Sequence, residues 1–235
     1  MALLRYDVGQ LTRSWLVRVW IVLLVVPALF IVVVAANSTE KASETLAAYI
    51  AAGLVPISAL VIAIVSGAAV SAESSVAADA ILSRSVTRSE YIAAKVTSRL
   101  AMTVLVFAAV AIPFAYLIVR YSEEGDTSVG GVIAGLIMVG AALIALAALG
   151  VALSTLLRNS LLSALIVLAA VGASGAALQF LGLSWMSSTA VLDDLPLTFR
   201  GDTDVWHEIR VIFAFGSLAA VGVAASVFVF RRRDL

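Results

Sequence analysis

The chain has 235 residues, of which 63% are hydrophobic and only 13% charged. Soluble domains run at about 45–50% apolar and about 25% charged, so this composition excludes a water-soluble globule. Fifteen basic and fifteen acidic residues cancel, and with them goes the electrostatic case for a nucleic-acid partner. With no cysteine and one histidine, His207, the chain also lacks the means for disulfides, thiolate or multi-histidine metal sites and cysteine nucleophiles.

The charges leave six uncharged intervals: Val19 to Thr39, Thr45 to Ala72, Leu100 to Val119, Thr127 to Leu157, Asn159 to Leu192 and Val211 to Phe230. A helix needs about 20 apolar residues to cross a hydrocarbon core of about 30 Å, and every interval is long enough. In lipid the backbone satisfies its own hydrogen bonds, so six spanning helices are expected, and the alternation of a membrane β-barrel is missing. The first interval follows basic residues and contains Val34-Ala35-Ala36, which looks like a cleavage site. Its apolar run exceeds the 7–15 residues usual for a signal core, so a retained span is expected.

Six spans put both termini on one side. With that side cytoplasmic, the inner segments hold eleven basic residues and the outer ones four: Lys41, Arg120, Arg200 and Arg210. This is the positive-inside bias, and it predicts a protein of the cell membrane with cytoplasmic termini. Trp15, Trp20, Tyr116, Tyr121, Trp185 and Trp206 fall near span ends, where amphipathic rings anchor at headgroups.

Between and before the spans lie three distinctive segments. Residues 2–18 are amphipathic, with Leu3, Leu4, Val8, Leu11, Trp15 and Leu16 at helical spacing and Arg5, Asp7, Arg13 and Arg18 as polar positions. They suit an interfacial helix or a basic topogenic flank. The largest inner segment, Glu73 to Arg99, is helix-compatible from Ser75 to Leu82 and broken at residues 83–86. Thr87 or Ser89 can cap a new helix through Tyr91, Ile92 and Lys95. The last outer loop, Trp185 to Arg210, is acidic and broken by Pro196; it suits either short helices over the outer mouth or a solvated loop.

The spans hold little chemistry. None of the six runs contains a charged or histidine side chain well inside it, whereas ion-coupled carriers keep such groups at depth. Gln179 reads as an interhelical hydrogen-bonding residue. Gly131 and Gly135 form a GxxxG, and Gly216, Ala220 and Ala224 repeat the spacing, allowing close helix contact without naming a partner. Pro27, Pro56 and Pro113 lie within spans and can kink them. Gly172-Ala173-Ser174-Gly175 resembles the GxSG of rhomboid-type intramembrane proteases, but that chemistry needs an imidazole beside the serine, and His207 stands at the outer rim. The chain has no GxxxxGK[ST], so a driven transporter would take its motor from another polypeptide.

The inner segment resembles the permease subunits of ABC-2-type ABC transporters. The family's coupling stretch corresponds to Ile81-Leu82-Ser83-Arg84-Ser85-Val86-Thr87-Arg88, followed by Lys95, with Glu73 and Asp79 upstream. Gly150 to Ser160, containing Ser154 and Arg158, is similar to its tight turn between spans four and five, and Phe230 to Leu235 to its basic ending. Val76-Ala77 replaces a frequent Gly-Thr, and Ser85 a proline.

The resemblance implies an all-α integral membrane protein: one transmembrane permease domain over residues 1–235, with six transmembrane helices. To these it adds an amphipathic N-terminal interfacial helix and a cytoplasmic coupling helix between spans two and three. The chain would be a non-enzymatic permease, an exporter, with no cofactor of its own. Two ABC ATPase subunits, carrying ATP and Mg, would dock on residues 73–90, and a second permease chain would complete a homo- or heterodimer in the lipid bilayer. Asp79, Ile81, Leu82, Ser83, Arg84, Val86 and Arg88 would carry the coupling, with Arg88 and Lys95 fixing the segment at the membrane surface. A six-span scaffold or assembly factor is the alternative of another class.

Overall fold

The computed structural model describes residues 2–37, 39–70, 87–157 and 159–232. Among them the fold is all-α, with six helices long and apolar enough to cross a membrane: Trp15–Ala35, Ala42–Gly67, Ser89–Tyr121, Val129–Leu156, Ser160–Phe180 and Val205–Phe230. In chain order the helices are α1 (Ala2–Arg13), α2 (Trp15–Ala35), α3 (Ala42–Ala48), α4 (Val55–Gly67), α5 (Arg88–Tyr121) and α6 (Val129–Leu156). They continue as α7 (Ser160–Phe180), α8 (Ser188–Asp193), α9 (Leu195–Arg200) and α10 (Val205–Arg232).

The second span is α3 and α4 joined by a π-helical turn, Tyr49–Leu54. Pro56 causes it: the residue has no N–H, and its ring would press on the carbonyl four residues back. The helix widens, and the Val55 N–H reaches back five residues to the Ile50 carbonyl. Pro27 and Pro113 sit inside α2 and α5 without ending them.

Helix α6 is the centre of the bundle. Gly222 of α10 lies so close to it that an added Cβ would stand 3.0 Å from the Ala148 carbonyl carbon. On another side, an added Cβ at Gly150 would lie 2.6 Å from the Ser66 Cβ of α4. Gly67 in turn holds α4 against the α7 backbone at Ala164. Small residues do this because helix association in lipid gains from dispersion and close approach rather than from hydrophobic exclusion.

The outward faces stay apolar. On α2, Trp20, Leu24 and Ala28 are buried while Val22, Val26, Phe30 and Val33 face out, and on α10 Phe213 and Val221 do the same. An outer surface of this kind is costly in water and suited to lipid.

One sequence expectation needs correction. Trp20 does not anchor at an interface: it is 2% exposed, and its Nε1 donates to the Ser58 Oγ of α4 at 3.2 Å. The fifth uncharged interval runs to Leu192, but its helix ends at Phe180, a few residues before the expected outer loop, because the chain turns at Gly182 (φ 71°) into a 3-10 turn, Ser184–Met186, then α8 and α9. The third spanning helix begins some three turns before its uncharged interval, at the cap expected at Thr87. The Thr87 side chain accepts from the Glu90 N–H, and the Glu90 carboxylate accepts from the Thr87 N–H, a capping box that starts α5 at Arg88. At 34 residues α5 is about 51 Å long, against a core of about 30 Å, so its first turns stand clear of the hydrocarbon.

Candidate functional site

Two polar clusters mark the two ends of the bundle. The first lies at the end that carries both termini. Asp7 projects from α1 and is 2% exposed, as buried as the core. Its carboxylate lies 2.7 Å from the Lys95 Nζ, accepts a hydrogen bond from the Ser98 hydroxyl, and stands 3.5 Å from an Arg99 guanidinium nitrogen. Lys95, Ser98 and Arg99 share one face of α5 at helical spacing, so a single carboxylate engages three side chains. A buried ion pair is retained only when further hydrogen bonds satisfy the carboxylate, and Ser98 provides one.

The cluster reaches the C-terminal helix as well. The Lys95 ammonium lies 5.7 Å from the Tyr91 ring centroid, and Tyr91 stacks on Phe230 of α10 with centroids 5.5 Å apart. Thus α1, the extended foot of α5 and the end of α10 form one unit. Asp7 is legible in the sequence only as a polar position of an amphipathic helix. The usable signal is its phase, since it stands three residues after Leu4 and four before Leu11, on the apolar stripe.

The second cluster is at the opposite end. Asp126 accepts from the Ser43 N–H (2.9 Å), the Ser43 hydroxyl (2.6 Å) and the Arg200 Nε (2.8 Å), and Arg200 also pairs with Glu44 at 2.6 Å. These residues join the start of α3, the loop before α6 and the end of α9. Burial pushes the Asp126 carboxyl up, but the Ser43 hydrogen bonds and the Arg200 charge outweigh it and hold the group below its ordinary range. The bond to Asp126 and the pairing with Glu44 raise Arg200 against a smaller effect of burial.

The GxxxG finds its partner here, within the chain. A Cβ at Gly131 would run into the Thr198 carbonyl oxygen, and one at Gly135 into the Phe199 ring, so the two glycines form the seat of α9. The Ser128 N–H donates to the Phe199 carbonyl at 2.8 Å, and Gly201 (φ 84°) turns the chain away above it. The outer loop therefore forms short helices over that end of the bundle. Gly216, Ala220 and Ala224, by contrast, face outward.

Of the sequence-predicted coupling residues, Asp79, Ile81, Leu82, Ser83, Arg84 and Val86 lie outside the described residues. Arg88 opens α5, and Lys95 turns inward to Asp7. The connection between α6 and α7 is as short as expected, and the Asn159 side chain caps α7 by accepting from the Leu161 and Leu162 N–H groups. The Ser174 hydroxyl donates to the Val171 carbonyl (2.7 Å) and contacts the Ser188 hydroxyl, while the His207 Nε2 stands 3.8 Å from Asp194. Hence Ser174 has no imidazole partner among the described residues. Comparison of the chain with protein-family models, curated proteins and solved structures gives no match.

Proposed function

We propose that the chain is the membrane-spanning subunit of an ATP-driven transporter of the ABC-2 type, working as an exporter with a separate ATPase docked on residues 73–90. One observation carries the reading: the helix that follows this segment is braced at its foot. A push delivered at residues 73–86 enters α5 at Thr87. Through Asp7, Lys95 and Ser98 it reaches α1, and through Tyr91 and Phe230 it reaches α10. Such a unit moves as a rigid body, which is what conversion of ATPase closure into a tilt of the spans requires.

In this reading Asp79, Ile81, Leu82 and Arg84 meet a groove on the ATPase. The chain's own residues do no covalent chemistry; they receive force and transmit it. Two permease chains with cytoplasmic termini would enclose the pathway.

The test is a mild-detergent pull-down of the tagged chain from its native host, with ATP hydrolysis assayed. A stoichiometric P-loop ATPase that is lost in Leu82→Arg supports the reading. Recovery of the intact chain without an ATPase, under conditions that preserve other complexes, sinks it in favour of a six-span scaffold.

A further inference from the structure

The face of α6 turned away from α9 and α10 borders an open groove of about 750 Å³, walled by α5 on its other side. Its walls are apolar, set by Ala108 and Ile112 from α5 and Ile133 and Ile137 from α6, with Phe107 packed over Gly140 as the floor. The groove runs from Thr127 and Val129, at the end of the bundle away from the termini, to Thr103 and Ile144. Fifteen residues of α6 separate Val129 from Ile144, a rise of about 22 Å. Helix α6 spans about 42 Å in all, so it overhangs a core of about 30 Å by about 6 Å at each end. The groove therefore starts in the headgroup zone and descends through one leaflet, close to the mid-plane.

Its rim is polar, with the hydroxyls of Tyr116, Thr127 and Ser128, and one cation stands just beyond it. Tyr116, 66% exposed, lines the upper part, and Arg120 follows one turn further along α5, exposed in the last turn of that helix. Among the described residues Arg120 belongs to no ion pair, whereas Arg200 at the same end is held by two carboxylates. Apolar walls one leaflet deep, hydroxyls at the rim and an open guanidinium above them match an amphiphile with an anionic head.

We propose that this groove is a binding site for an anionic phospholipid of the leaflet opposite the termini. One acyl chain would lie between α5 and α6, and the phosphate would sit at Arg120. Such a seat stands whether or not the chain transports anything.

The test uses the full chain in vesicles of phosphatidylcholine with one-fifth phosphatidylglycerol, with Ile133 replaced by the photo-crosslinking residue benzoylphenylalanine. Mass spectrometry identifies the captured lipid. Phosphatidylglycerol should be captured with about fivefold the efficiency of phosphatidylcholine, the gain expected from one basic residue at an anionic head, and so make up more than half of the captured lipid. Arg120→Gln should return capture to the mole fraction, and Ala108→Phe, which fills the groove, should abolish capture of either lipid. Because Arg120 is exposed, its variant decides the matter even if Ala108→Phe fails to fold. Capture in simple proportion to composition would overturn the proposal, as would crosslinking to a second copy of the chain.

Discussion

The carboxylate of Asp7 lies 2.7 Å from the ammonium of Lys95, 88 positions further along the chain, and both side chains are nearly sealed from solvent. This pair fastens the N-terminal helix to the foot of the third span. In a low-dielectric site the attraction roughly repays the desolvation of the two ions, so its removal matters more than its presence.

Asp7→Ala therefore leaves Lys95 buried without its strongest partner and should destabilise the chain by about 3–5 kcal/mol. The double variant Asp7→Leu/Lys95→Leu should recover most of that loss, because two apolar side chains strand no charge. Thermal unfolding of the wild type and these two variants in detergent checks both statements. Equal destabilisation of the single and double variants would show that the pair contributes more than it costs.

The seat of α9 gives a second prediction. Gly131→Ala should force α9 off α6, costing about 1–3 kcal/mol as overpacking does, while Gly130→Ala, with nothing within 4 Å of its Cβ, should cost nothing. The chain has no cysteine, so Thr198→Cys provides a clean reporter at a fully buried position. Its maleimide labelling should be slow alone and fast when combined with Gly131→Ala.

The same reporter reads the pH dependence of the Asp126 cluster. Asp126 has a folded pKa below its unfolded value of about 3.9, so its stabilisation is present above that value and is lost as pH falls through the folded one. Arg200, raised by its carboxylate partners, stays charged throughout this range. Labelling at Thr198→Cys, taken relative to the denatured chain at the same pH because only the thiolate reacts, should stay slow from pH 7 down to about 4 and rise only below it. Asp126→Asn should make it fast at every pH.

Close helix packing makes a fourth prediction from a contrast between two glycines. Gly150→Ala would press a methyl group to 2.6 Å from the Ser66 Cβ and should lower stability by about 1–3 kcal/mol. Gly216→Ala meets nothing within 4 Å and should raise it by up to about 1 kcal/mol through helix propensity. Unfolding by titrated SDS ranks the two.

Sequence periodicity does not separate these glycines. Both sit in runs of small residues at the same spacing, and only the position of a second helix distinguishes a contact from a lipid-facing gap. The same holds for Trp20, which has the look of an interfacial anchor until Ser58 of α4 is placed beside its indole nitrogen. The start of α5 was legible for a different reason. Its capping box is local, since Thr87 and Glu90 meet within one turn.

The sequence by itself determined that the chain is all-helical with six segments able to cross a membrane, because transfer into lipid and backbone hydrogen bonding are properties of each segment alone. It also determined where a helix starts and one bends, at Thr87 and Pro56, because capping and proline sterics act over four residues. The tertiary structure alone decided which polar and small residues matter. Asp7 becomes a buried ion through Lys95, and Gly131 and Gly135 become a seat through Thr198 and Phe199. In each case the partner is dozens of residues away in the chain, and the energy depends on a distance that no local pattern encodes.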